Sequence, residues 1–196
     1  MSENHDSLRR TIVAALASAP LLGLADQDNS REAPRSGSRT LVAYFSRTGN
    51  TRVIAGLLQR ALHADLFEIR PAAPYPEDYL QTVEQARQER DRGVRPALER
   101  TVRNIGDYDR VLLGFPIWGE TLPAVVRSFL AQHDLGGKTI VPFTTHGGYG
   151  LGNSRSVLAA HAPRSSIVEG FVMEGEQERK TMERVDQWLS DTPIAR

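Results

Sequence analysis

From residue 40 onward the sequence predicts an α/β fold, a parallel sheet with helices on both faces. Short apolar runs and longer amphipathic stretches alternate five times, and such an alternation packs as a parallel sheet joined by right-handed crossovers. The runs are predominantly apolar, as strands buried on both faces are. A chain of 196 residues with 40% hydrophobic and 24% charged positions also suits one good core.

The elements follow in order. A first strand is expected at 41–45, LVAYF, then a helix at 53–62, where Val53, Ile54, Leu57, Leu58, Ala61 and Leu62 share one face. Arg52, Gln59 and Arg60 fall outside that face. A second strand at 66–69 leads to a helix at 77–92, whose mixed charges read as a solvated face. The third strand, 110–115, precedes a helix at 122–131, and the fourth, 139–143, precedes one at 154–161. A fifth strand at 167–173 and a helix at 176–189 complete the pattern, with Met182 and Trp188 fitting a packed amphipathic helix.

Residues 1–39 differ and are read as a leader and linker ahead of a domain spanning 40–196. The stretch SLRRTIVAALASAPLLGLA has paired arginines, Arg9 and Arg10, a weakly apolar run and a small-x-small ending at Gly23-Leu24-Ala25. It resembles a twin-arginine export signal cleaved after Ala25, which implies an extracytoplasmic protein; the alternative is a leader retained on a cytoplasmic one. Interrupted by Pro20 and Gly23, the run is too short for a stable membrane anchor. Residues 26–39, DQDNSREAPRSGSR, are polar and turn-rich, as linkers are.

Charge and composition exclude several classes of function. Lys plus Arg equals Asp plus Glu at 24 each, so no basic excess points to nucleic acid and no acidic excess to a cationic partner. Without cysteine there are no disulfides, thiolate metal sites, iron–sulfur clusters or cysteine nucleophiles. Five scattered histidines, none in an HExxH-like arrangement, give no reason to expect a metal site. His63 and His133, near predicted helix ends, read as partners of the helix dipoles or as solvated side chains.

In a parallel sheet of this kind a ligand sits beyond the C-terminal ends of the strands, which directs attention to the loops after the first, third and fourth. The first of these reads Ser46-Arg47-Thr48-Gly49-Asn50-Thr51. Hydroxyls of Ser46, Thr48 and Thr51, with N–H groups freed at the start of the helix, can surround a tetrahedral anion, and Gly49 lets the backbone come close. Arg47 is free to face solvent. The loop is neither a Walker A sequence nor Gly-x-Gly-x-x-Gly. Its bland alternative is an ordinary helix N-cap, for which Ser, Thr and Asn are all well suited.

These six residues, with GFPIWGETLP (114–123) and FTTHGGYGLGNS (143–154) after the third and fourth strands, resemble the flavodoxin-like, FMN-binding domains. PYPEDY (74–79) is similar to a subgroup of small members. The resemblance covers 39–189 and implies a three-layer α/β sandwich with a five-stranded parallel sheet in the order 2-1-3-4-5. It also implies FMN as cofactor, its phosphate in the 46–51 loop. Pro116, Ile117, Trp118 and Gly119 would meet the ring, Trp118 by stacking its indole. A core tryptophan is the alternative, although Pro116 and Gly119 read as an exposed turn. Thr144, Thr145, His146, Gly147, Gly148, Tyr149 and Gly150 would form a loop whose N–H groups meet the ring carbonyls, and His146 is a candidate for a functional contact, including as a general acid. No residue is singled out as catalytic.

Where the similar subgroup commonly has a second aromatic after the tryptophan, this chain has Gly119 and then Glu120, closer to the Gly-acidic turn of small electron-carrier flavodoxins. Those carriers are typically strongly acidic. Removing residues 1–39 takes away five arginines and five carboxylates, so the domain here stays neutral. The resemblance thus implies an FMN-dependent oxidoreductase passing electrons from NAD(P)H or another donor to a quinone-like acceptor. A one-electron carrier, or a flavin-free binding domain of the same fold, is the alternative. Nothing in the sequence resembles a second, dinucleotide-binding module, so NAD(P)H would bind transiently over the flavin.

Overall fold

The computed structural model describes residues 39–175 and 178–192; the leader and its export-signal reading lie outside the described residues. The strands are β1 (Thr40–Tyr44), β2 (Asp65–Glu68), β3 (Arg110–Pro116), β4 (Thr139–His146), β5 (Ser166–Ile167) and β6 (Phe171–Glu174). Between them run α1 (Asn50–Leu62), α2 (Tyr79–Asp91), α3 (Ala124–Gln132) and α4 (Ser154–His161), and α5 (Glu178–Asp191) follows β6. The sheet order is β2-β1-β3-β4-β5, with β6 also on β4, and all these pairings are parallel.

Successive residues of a strand point to opposite faces, so each strand feeds two cores. Leu41 and Ala43 of β1 join Val125, Val126, Phe129 and Leu130 of α3 and Leu158 of α4. Val42 and Tyr44 join Ile54, Ala55 and Leu58 of α1 and Val185 and Leu189 of α5. Helices α1 and α5 therefore cover one face, and α3 and α4 the other. Gly114 makes room within the second of these cores: its register partner is Phe143, and a Cβ there would fall 2.1 Å from that ring.

Three elements differ from the sequence expectation. Strand β2 is an edge strand rather than a buried one, with Leu66 47% exposed. Charge protects this edge, as Glu68 accepts from Arg52 at 2.6 Å and from Arg70 at 2.9 Å. Burial alone would push the Glu68 carboxyl up, but these arginines outweigh it and hold it below its ordinary range. Strand β4 runs three residues beyond Phe143, because Thr144 and Thr145 pair with Phe115 and Pro116 on one side and with β6 on the other.

The fifth strand is broken in two. Ile167 pairs with Ile140 and Phe171 with Phe143, so three residues on one strand face two on the other, a bulge. Pro142 sits opposite the break and has no N–H to give. Gly170 packs so closely on it that a Cβ would lie 1.8 Å from the Pro142 oxygen.

Candidate functional site

The loop leaving β1 turns sharply into α1. Gly49 is the N-cap at φ +102°, a conformation that L side chains rarely adopt, and no side chain caps the helix. Its own N–H donates to Ser46 Oγ at 3.1 Å. The first helical hydrogen bond runs from Val53 N–H to Gly49 O at 3.0 Å, which leaves the N–H groups of Asn50, Thr51 and Arg52 without an acceptor in the helix. At α2, by contrast, Asp78 caps in the usual way, accepting from Gln81 N–H at 2.8 Å. The ordinary N-cap reading of the 46–51 loop thus fails.

Within that loop the residues part company. Thr48 is exposed, while Thr51 is buried and its hydroxyl shares a 2.9 Å hydrogen bond with that of Thr145, tying the β1 loop to β4. Arg47 turns to the segment ahead of α2, donating to Glu77 O at 3.1 Å with its guanidinium 6.0 Å from the Tyr79 ring centre. The Asn50 amide faces the end of β6, where a Cβ on Gly175 would be 3.0 Å from it.

Beyond β3 the chain makes a tight reversal. Ile117 N–H donates to Thr145 O at 2.8 Å, and Trp118 and Thr121 exchange backbone hydrogen bonds of 2.9 and 3.2 Å across Gly119 and Glu120. Both central residues have positive φ, +55° and +64°, the type I′ combination. Trp118 is partly buried, packed edge-to-face against Phe45 at 5.3 Å and Tyr75 at 4.9 Å. Tyr75 donates its hydroxyl to the buried Glu89 at 2.8 Å, and Gln85 donates to the other oxygen of Glu89 at 2.8 Å. Burial first, and then the Glu89 carboxylate, hold the Tyr75 hydroxyl protonated far above its ordinary range.

Thr144 and Thr145, expected in the loop after the fourth strand, are instead buried residues of β4. The Thr144 hydroxyl has no partner among the described residues, and neither has that of Ser154. His146 ends the strand, and its Nδ1 accepts from the N–H groups of Gly148 at 3.1 Å and Gly150 at 3.3 Å. Two of the loop N–H groups expected to face outward are therefore held inward by the imidazole. Gly147 is exposed and Tyr149 is 87% exposed. The loop is latched to the Trp118 turn, because Asn153 N–H donates to Glu120 O at 2.8 Å.

A sequence profile of the flavodoxins matches residues 39–192. The chain belongs to the flavodoxin family. A protein from Bacteroides eggerthii DSM 20697 classed as a flavoprotein is 37% identical to it, with 79% of this chain and 98% of that chain covered at a TM-score of 0.69. One from Bacteroides uniformis ATCC 8492 is 32% identical over 79% of this chain and 99% of that chain, with a TM-score of 0.70. The flavoprotein of Lactobacillus acidophilus NCFM, solved in complex with FMN, is 19% identical, covers 75% of this chain and 99% of its own, and shares the fold at a TM-score of 0.61. No curated protein matches.

In this member of the flavodoxin family the loops leaving β1, β3 and β4 lie side by side at the C-terminal end of the sheet. The β1 loop with Ser46, Thr48 and Gly49 stands on one side, Ile117, Trp118 and Gly119 after β3 in the middle, and the 147–150 loop after β4 on the other, while Thr51 is buried against Thr145. Arg47 is directed away, toward Glu77. Phe45 and Tyr75, the braces of Trp118, are not among the residues expected at the site, and Gly152 and Asn153, which fasten two loops, fall in FTTHGGYGLGNS without an expected role of their own. Tyr75 carried a signal, lying in PYPEDY, but nothing in its spacing pointed across to Trp118.

Proposed function

We propose that this flavodoxin-family chain binds FMN, with the phosphate at the start of α1, and serves as an oxidoreductase between NAD(P)H or another donor and a quinone-like acceptor. The uncapped N-terminus of α1 carries the cofactor reading. Its three N–H groups, beside the Ser46 and Thr48 hydroxyls, suit an anion and leave no place for a protein cap, since Gly49 has no side chain. The unpartnered Thr144 hydroxyl at the end of β4 also fits a polar ligand. An FMN complex in the L. acidophilus protein of the same fold supports the same cofactor.

When bound, FMN supplies one- and two-electron transfer chemistry. The chain's own residues bind and orient. Donors at α1 hold the phosphate, each charge-assisted hydrogen bond contributing about 1.5–3 kcal/mol. Trp118 offers an apolar wall that excludes water, and Phe45 and Tyr75 keep it from tilting. His146 fixes the glycine loop through the two N–H groups it accepts from.

Calorimetry with FMN and riboflavin tests the cofactor. FMN is expected to bind one to one and far more tightly; Ser46→Ala and Thr48→Ala each weaken FMN by about tenfold or more while leaving riboflavin unchanged. Equal affinity for the two flavins would overturn the reading. The Gly119–Glu120 turn favours a second reading, a one-electron carrier. Reduction of the bound flavin by NADPH or NADH identifies an enzyme, whereas reduction by dithionite but by neither nicotinamide rules out that donor and favours the carrier.

Export is proposed from the leader sequence. Changing Arg9 and Arg10 together to Lys is expected to leave the precursor in the cytoplasm, and a native cytoplasmic protein retaining residues 1–25 would rule export out.

A further inference from the structure

Beside the Trp118 turn lies a group of cations that the FMN reading does not use. Arg127 of α3 is half buried, close enough to feel the charges of Glu89 and Arg90 on α2; its Nε is inaccessible and has no hydrogen-bond partner among the described residues. It forms no salt bridge among the described residues. Arg90 of α2 lies against the turn, its outer nitrogen Nη1 2.4 Å from where a Cβ on Gly119 would be. Its other nitrogens, Nε and Nη2, pair with Asp91 at 3.1 and 3.0 Å, which leaves Nη1 without a partner among the described residues.

The single carboxylate among the charges that act on Arg127 is Glu89, against the like charges of Arg90 and Arg95. Glu89 is already engaged by Tyr75 and Gln85. Burial lowers the Arg127 pKa, and the opposing effects of Glu89 and Tyr75, themselves countered by Arg90 and Arg95, do not restore it. A guanidinium held this way calls for a partner, because an unsatisfied buried donor is costly and native structures rarely keep one. The neighbouring carboxylates of α2 are already engaged, Glu89 by Tyr75 and Gln85, and Asp91 by Arg90, so the guanidinium donors left over beside the turn that would meet the flavin ring suit an anion.

We infer that Arg90 and Arg127 form a subsite for the carboxylate or phosphate group of the small redox molecule that reacts at the flavin. This rests on the FMN reading and deepens it, making that molecule anionic. The shared chemistry is an anionic oxygen group, and its source is either the electron donor or the electron acceptor. Arginine suits the role, since its planar fork binds such groups bidentately.

The test uses the oxidised holoprotein and binding alone, without turnover. Calorimetry measures NADP⁺ for the donor arm, and a naphthoquinone sulfonate with its neutral parent naphthoquinone for the acceptor arm. Wild type is compared with Arg90→Gln, Arg127→Gln and the conservative Arg127→Lys. At least one anion is expected to bind about tenfold more weakly to both glutamine variants, with Arg127→Lys keeping part of the affinity. The neutral quinone should stay within about twofold of wild type, as it has no group for the arginines to hold. Loss of NADP⁺ affinity assigns the subsite to the donor, and loss of sulfonate affinity assigns it to the acceptor. Unchanged anion affinities, or an equal loss for the neutral quinone, overturn the proposal. Failure of the FMN reading shows separately, as absent flavin absorbance in the purified protein, and removes the proposal with it.

Discussion

Gly152 sits at φ +50° with its Cα pressed on the backbone of Glu120, so close that a Cβ would fall 2.0 Å from the Glu120 oxygen. Glu120 itself is a non-glycine residue at φ +64°, a conformation costing roughly 1–2 kcal/mol that its neighbours must sustain. The hydrogen bond from Asn153 N–H to Glu120 O, with the Gly152 contact, does so and fixes the distance between the Trp118 turn and the glycine loop. In Gly152→Ala the clash is with backbone, which cannot swing aside, so the two loops must separate. The expected result is a loss of about 1–3 kcal/mol in stability and a weaker hold on FMN. Gly147→Ala is the control, because nothing lies within 4 Å of its Cβ position; its stability should stay within about 0.5 kcal/mol of wild type. Equal denaturation midpoints for the two variants would refute the latch.

At the scale of elements, helix α3 ends on a buried histidine. His133 Nδ1 donates to Phe129 O at 2.7 Å, its Nε2 accepts from Val102 N–H at 2.9 Å, and the ring lies 4.2 Å from that of Phe129. Burial lowers its pKa against the smaller opposing effect of the Phe129 carbonyl. A depressed folded pKa means that the unfolded chain takes up the proton first. The stability tied to neutral His133 is therefore complete above the unfolded value of about 6.5 and is lost as the pH falls toward the folded one. Urea denaturation at pH 7 and pH 5 should show a decline of up to about 1.4 kcal/mol per pH unit that His133→Gln removes. An identical pH dependence in the variant would exclude the histidine as its source. This role was only partly legible: the position near a helix end was visible, but burial depends on Val102, 31 residues away in sequence. The sheet was legible for the opposite reason, since continuous runs such as LVAYF and VLLGF are buried on both faces wherever they pair. Thr144 and Thr145 were read as loop because they are polar, yet β-branched side chains suit a strand, and the β3 and β6 partners decide the matter. The broken fifth strand stayed hidden because Pro142 acts on a neighbour that is distant in sequence.

Across the whole molecule the charges balance, 24 basic against 24 acidic, with none of the acidic excess of a shuttle built to dock on cationic partners. The balance bears on the bound cofactor as well, because a second electron placed on FMN adds negative charge that an acidic shell would repel. One such repulsion amounts to about 1 kcal/mol at 4 Å in bulk water and fades beyond the roughly 8 Å screening length at physiological salt. Near the proposed ring position no acidic excess stands, since Arg90 and Arg127 are set against Glu89, Asp91 and Glu120. The second reduction step of the bound FMN is therefore expected at a higher potential than in a strongly acidic carrier of the same fold, which favours transfer of two electrons together. Spectroelectrochemistry on the holoprotein measures both steps. Raising the salt concentration should shift the second potential little, since few exposed charges of one sign remain to be screened. A very low second potential that climbs steeply with salt would show that acidic repulsion governs the site after all, and would turn the reading toward the one-electron carrier.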